Sequence, residues 1–276
     1  MTIGLVNRKR NPYSSSAAAV VTFALLATIA WAQETSLIEK VAANEVAARK
    51  ARLHYSFVAE ERSDRTGNHL WKENVVETTD GPLRRLIAID NRPLTSAEAA
   101  AEQRRIDDLV AHPGDFRRQN QAHRDDEDRA TQFLQLLSTA FVFTPDGQSG
   151  NCHRFTFHPK PGFHPASYQE RVATEMVGAV SVKQPENRLC TLDARIVRPV
   201  DFGFGVLGHI DEGGHFSLTR WQVDAKNWKS DRISVHVTGR ILMLKSLAQD
   251  QDSVRTDIRI VPQNLTLAQA AQISRR

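Results

Sequence analysis

Apolar and polar residues alternate with a period of two over many short segments of this chain, and turn-forming residues separate those segments. Leu53, Tyr55 and Phe57 alternate with His54 and Ser56, and Arg84, Leu86 and Ala88 alternate with Arg85, Ile87 and Ile89. Phe155 and Phe157 repeat the pattern within 153–158. A period of two puts alternate side chains on opposite faces of a strand. Strands are therefore expected near 52–62, 69–79, 82–90, 153–158, 179–183, 189–198, 202–210, 215–223, 231–238, 240–247 and 253–261. Thr66-Gly67-Asn68, Asp80-Gly81-Pro82, Gln184-Pro185-Glu186-Asn187, Asp211-Glu212-Gly213-Gly214 and Asp224-Ala225-Lys226-Asn227 supply turn chemistry between them. Consecutive hairpins of this kind build one strongly curved antiparallel sheet of about ten strands rather than a parallel one.

Helical signals are grouped in the first two-thirds of the chain, so the fold class is α+β. Ser36 and Glu39 stand at capping-box spacing, and Ile38, Val41, Ala42 and Val46 recur at three and four residues up to Lys50. A second box, Thr95 with Glu98, opens a helix that runs to Ala111 and stops at Pro113-Gly114. The segment 115–129 is polar, with arginines and acids in near balance, and reads as a solvated helix or excursion. Phe133, Leu136, Leu137 and Ala140 restore a helical stripe. The box Ser167 with Glu170 predicts a third helix with Tyr168, Val172 and Met176 on one face and Gly178 as its stop. The tail beyond Pro262 reads as loosely held.

The N-terminus carries Arg8-Lys9-Arg10, then the uncharged run from Ala17 to Ala30, and ends in Ala30-Trp31-Ala32. That order is expected of a secretory signal peptide, residues 1–32, cleaved between Ala32 and Gln33. Its apolar run falls short of the roughly 20 residues that span a bilayer. The expectation is a periplasmic protein of residues 33–276, with no stable transmembrane anchor after cleavage. Without the signal, 33 Lys and Arg face 32 Asp and Glu. A near-neutral chain with no basic cluster does not read as a nucleic-acid binder. In an oxidising compartment Cys152 and Cys190 are candidates for one disulfide. Two separate thiols are the alternative, because strands with another strand between them lie about 9.6 Å apart, beyond the ~7 Å reach between Cα atoms.

The order of these elements resembles the LolA/LolB-like outer-membrane lipoprotein-sorting proteins. His54-Tyr55-Ser56-Phe57-Val58-Ala59-Glu60-Glu61, Arg84-Arg85-Leu86-Ile87-Ala88-Ile89-Asp90, Phe155-Thr156-Phe157-His158-Pro159-Lys160-Pro161-Gly162 and Leu192-Asp193-Ala194 are similar to an uncharacterised exported bacterial branch near that group. The resemblance implies a single half-barrel domain, an unclosed β-barrel with a helical insertion at about 95–139 and helices over an apolar concave face. It also implies a pocket there for acyl chains. Independently, Tyr55, Phe57, Trp71, Ile87, Ile89, Phe155, Phe157, Phe216 and Leu218 supply large apolar area to their strands. They either fill an ordinary core or line such a ligand pocket.

Other chemistry is thinly represented. His153 and His158 stand five residues apart on one strand, on opposite faces and about 17 Å from each other, too far for one ion. His209 and His215 flank the Gly213-Gly214 turn near Asp211 and Glu212, which makes a hairpin-tip cluster. The chain has no G-x-S-x-G, H-E-x-x-H or G-x-x-x-x-G-K-[ST] motif, and Asp201-Phe202-Gly203 lacks the partners of a kinase triplet. The reading is a non-enzymatic carrier that needs no cofactor or metal and takes a lipid or acylated protein. An envelope protein-interaction or signalling module on the same fold is the alternative.

Overall fold

The computed structural model describes residues 36–203, 208–241 and 249–275. The segment 1–32, expected to be a signal peptide, lies outside them. The chain enters as helix α1 (36–50) and continues through β1 (His54–Ser63), a short 3-10 turn (Asp64–Thr66), β2 (Trp71–Thr78), β3 (Gly81–Ile89) and β4 (Arg92–Pro93). Three helices follow: α2 (Ser96–Ala111), α3 (Pro113–Gln119) and α4 (Gln121–Ala140). Then come β5 (Phe141–Ser149), β6 (Cys152–Pro159), α5 (Tyr168–Ala173), β7 (Met176–Lys183) and β8 (Arg188–Ile196). The remainder is β9 (Val200–Phe202), β10 (Gly208–Ile210), β11 (His215–Gln222), β12 (Trp228–Val237), β13 (Gly239–Ile241), β14 (Gln249–Val261) and α6 (Leu267–Ile273).

The expected α+β class holds. Eleven strands form one antiparallel sheet in the order β4-β3-β2-β1-β14-β12-β11-β8-β7-β6-β5, which does not close into a barrel. A separate three-stranded sheet, β13-β10-β9, accompanies it. The strands expected at 202–210 and 240–247 survive in part as β10 and β13, and residues 204–207 and 242–248 lie outside the described ones.

Alternation assigns the faces. Along β1, Tyr55, Phe57, Ala59, Glu61 and Ser63 turn inward, and register carries that face onward through Phe57↔Val75 and Val75↔Arg84. On the far half of the sheet it continues through Leu218↔Leu192, Leu192↔Val180 and Val180↔Phe155. Over this half, Ile38 and Val41 of α1, Leu134 and Leu137 of α4 and Ala173 of α5 join Phe155, Phe157, Val180 and Leu192 in the main core. Helices α2 and α6 take the opposite face of β2 and β3, where Ile106, Leu109, Ala270 and Ala271 meet Val76 and Leu83. Val75 and Val76 are successive residues, and both are fully buried because β2 is covered on both sides.

Two local expectations are corrected, and one strand that the sequence reading did not assign is added. The tail beyond Pro262 is held: Thr266 and Gln269 form a capping box, and α6 docks Ala270 and Ala271 against the sheet. Residues 141–149 form a strand whose outer six positions are exposed, so no buried alternation marks it. It is an edge strand with a register break between Pro145 and Gln148, which is where a sheet tolerates proline. The helix opened by Ser167 stops at Ala173, and Met176 and Gly178 belong to β7. Pairing on both sides, Met176↔Ile196 and Phe157↔Gly178, overrides the helical spacing. Gly178 is required there: a Cβ would stand 2.0 Å from the Asp193 carbonyl oxygen and 2.7 Å from Cζ of Phe157. Gly178→Ala is expected to cost at least about 1–3 kcal/mol in urea unfolding, with an unchanged m-value.

Cys152 and Cys190 form the disulfide, with Cα atoms 6.7 Å apart. β7 does lie between β6 and β8. Cys190 occupies a register shift opposite Ser181 and Val182, and a bulge bends its strand. Two flat strand spacings would span about 9.6 Å, so the shorter separation records sharp local curvature.

Candidate functional site

The nine residues expected on one apolar wall are divided by the structure. Phe155 and Phe157 are buried in the main core, where Phe157 makes edge contacts with Phe141 and tilts against Phe143; Phe216 and Leu218 pack against the same cluster, partly buried. Tyr55 and Phe57 lie in a smaller cluster with Ala59 and Val75. Trp71, Ile87 and Ile89 are half-buried, with Arg65 stacked on the Trp71 ring at 5.3 Å.

Beside Tyr55 and Phe57 the same inward face becomes ionic. Glu61 and Glu73 are buried, and Arg65 reaches back from the turn after β1 to hold both. Its two Nη donate to Glu73 at 3.0 and 2.7 Å, and its Nε donates to Glu61 at 3.1 Å. Arg84 adds bonds of 2.9 Å to Glu73 and 3.3 Å to Glu61. Burial alone would raise the Glu61 carboxyl, but Arg84, Arg65 and the Ser63 hydroxyl hold it below the usual range.

Farther along, Glu77 accepts from Nζ of Lys229 at 2.6 Å and from the Tyr55 backbone N–H at 3.1 Å. The same ammonium lies 4.8 Å from the Tyr55 ring centre. Burial opposes ionisation of Glu77; Lys229, Arg255 and the Tyr55 N–H overcome it and lower its pKa.

Arg255 of β14 differs from these cations. Its guanidinium stacks over Phe57 at 5.0 Å, and among the described residues no carboxylate lies within ion-pair distance of it. Burial is the main cause of its lowered pKa, with Arg84 adding to it, while Glu77, Glu127 and Glu61 act only across longer gaps.

A second ionic node anchors α1. Glu45, 1% exposed, accepts from Nε of Arg188 at 2.8 Å, from Nη1 of Arg220 at 2.8 Å and from the Leu189 N–H at 3.2 Å. Between the nodes stretches the first half of α4, which contributes no described apolar side chain to the core. It is held by polar contacts: Arg49 of α1 to Glu127 at 3.0 Å, and Arg124 to the Asp80 carbonyl at 3.0 Å. Burial lowers the pKa of His123 in this half, near Glu127, Arg84, Glu77 and Lys229.

Sequence reasoning missed these ionic residues because it followed only the apolar members of each alternation. The signal was present in β1, where Glu61 and Ser63 hold the inward parity of Tyr55, Phe57 and Ala59.

The histidines do not converge. His209 bridges Asp201 at 2.7 Å and Asp211 at 3.0 Å, whereas His215 takes Asp193 at 3.0 Å. Ser234, His236 and Asp250 follow the order of a hydrolase triad, with Ser234 Oγ 3.0 Å from His236 Nε2 and Nδ1 2.5 Å from Asp250. However, Ser234 donates its proton to Asp252 at 2.6 Å, which leaves the imidazole nothing to abstract. These four residues are directly opposed pairs of a cross-strand polar ladder.

Where β11 and β12 run past the end of β8, an open cleft of about 520 Å³ lies beside the disulfide, lined by Asn151, Cys152, Cys190, Arg220, Trp221, Gln222, Asp224 and Trp228. Among the described residues no helix is long and apolar enough to cross a membrane. No family model matches this chain, and neither a curated protein nor a solved structure does.

Proposed function

We propose that the protein is an exported, periplasmic carrier that holds an amphipathic acyl ligand, a lipid or an acylated protein, between the inward sheet face and the helices α1 and α4. The observation that carries this reading is Arg255, a cation beneath α4 with an aromatic ring under it and no carboxylate partner among the described residues. Arg255 is half-buried, and an anionic head group would pair a cation whose hydration the surrounding protein has partly removed. Tyr55, Phe57, Ala59 and Val75 lie alongside as apolar wall, so the acyl chain would gain roughly 25 cal/mol per Å² it buries there. Entry would part the first half of α4, whose seat is polar, from the sheet while Leu134 and Leu137 keep its second half anchored. The disulfide supports an oxidising compartment.

The test compares oleate with oleyl alcohol, titrated by calorimetry into delipidated protein. Both are expected to bind, and Arg255→Leu is expected to weaken oleate by about tenfold or more, the worth of one charge-assisted hydrogen bond, while sparing the alcohol. If neither amphiphile binds, the carrier reading fails.

A further inference from the structure

We infer that the cleft beside the disulfide is a binding site for a neutral saccharide. Its lining includes neither Arg255 nor the wall residues Tyr55, Phe57, Ala59 and Val75 that the carrier reading uses, so it does not depend on that reading.

Three features point to that chemistry. Trp221 is 59% exposed on the cleft, an unusual position for so large an apolar ring, and has no aromatic or cationic neighbour stacked on it among the described residues. The electron-rich face of an indole is a platform for the slightly positive C–H face of a pyranose ring. The disulfide and the buried Trp228 stiffen the wall behind it.

The cleft's one cation is already paired within the protein. Arg220 gives Nη1 to Glu45 and Nη2 to the Trp228 carbonyl, each at 2.8 Å. Its Nε is buried and has no partner, so it is out of a ligand's reach. Asp224 accepts the backbone N–H groups of Lys226 and Asn227 at 2.8 and 2.9 Å, which closes the turn between β11 and β12. Among the lining residues no cation is left over to select an anion, and the exposed Asp224 carboxylate, held only by uncharged N–H groups, keeps its charge and disfavours one.

The other groups left for a ligand are neutral. The amide nitrogen of Asn151 and the whole amide of Gln222 are exposed and make no hydrogen bond with the described residues. Carboxamides both donate and accept, the complement of vicinal hydroxyl groups. A stacking ring flanked by polar groups in a cleft of about 520 Å³ has the size of a small-ligand site.

The experiment follows tryptophan emission and calorimetry of the disulfide-intact protein with maltose, cellobiose, chitobiose and N-acetylglucosamine, and with galacturonate and indole-3-acetate as anionic comparators. At least one neutral sugar is expected to bind with a saturable emission change. Trp221→Ala is expected to weaken that binding by about tenfold or more with an unchanged melting temperature, Trp221→Tyr to restore part of it, and Arg255→Leu to leave it alone. Three results would each overturn the inference: no neutral sugar binds, an anionic comparator binds more tightly than every neutral sugar, or sugar binding is indifferent to Trp221→Ala. Loss of oleate binding in the preceding test would leave it standing.

Discussion

Replacing Glu45 by alanine is expected to destabilise the protein by about 3–5 kcal/mol, the cost of breaking a buried ion pair from one side. The carboxylate is almost wholly enclosed and serves two guanidiniums, Arg188 and Arg220, whose side chains are only 11% and 10% exposed. Without it both cations stay buried with no counter-charge, and the Leu189 N–H loses its acceptor. Arg220 can least tolerate this, since burial already lowers its pKa and its Nε is unpartnered. Equilibrium urea unfolding measures the loss. Glu45→Gln, which keeps an acceptor but not the charge, is expected to fall between wild type and Glu45→Ala. Equal stability of all three proteins would show that the node contributes no net ionic stabilisation.

The same node sets a pH dependence. Burial raises the Glu45 pKa, but Arg220, Arg188 and the Leu189 N–H outweigh it, so the folded value lies below the ordinary 4.5. Glu61 and Glu77 are shifted in the same direction. A group with a depressed folded-state pKa contributes its full stabilisation above the unfolded value and loses it as pH falls through the folded one. Stability is therefore expected to drop as pH is lowered below 4.5, and the drop is expected to be shallower in Glu45→Gln.

Removing the disulfide is the other large expected effect. Cys152 and Cys190 are 38 positions apart, and closing a loop of that length restricts the unfolded chain by about 3–4 kcal/mol at 25 °C. The paired change Cys152→Ser with Cys190→Ser is expected to lower the melting temperature by roughly 6–16 °C, given 2–4 °C per kcal/mol for a chain of this size. Because Trp228 packs on the bridge, its emission is expected to shift red before global unfolding. A melting temperature within a degree or two of wild type would mean that the bulged end of β8 is held equally well by its strand pairing.

Much of the architecture was legible because strand alternation and hairpin turns are local. The pattern His54 to Glu61 gave β1 its inward parity, and Thr95 with Glu98 gave α2 its start, where Thr95 Oγ1 accepts the Glu98 N–H at 3.3 Å. Legibility ended where neighbours in space overrule neighbours in sequence. Met176 has helical spacing and is a strand residue because β6 and β8 hold β7 from both sides. Residues 141–149, to which the sequence reading assigned no element, are strand because β6 supplies the pairing they need at an edge.

The site shows the same division more sharply. Sequence alone determined which positions of each strand share a face, since side-chain direction follows from backbone period. Tertiary structure alone decided what that face is made of, by setting strand order. Pairing β14 with β1, and β12 with β14, placed Arg255 over Phe57 and Lys229 against Glu77, residues separated by 198 and 152 positions. Electrostatic pairing acts through space within a few ångströms, so it was fixed only when the sheet assembled, whereas alternation was already complete within each strand.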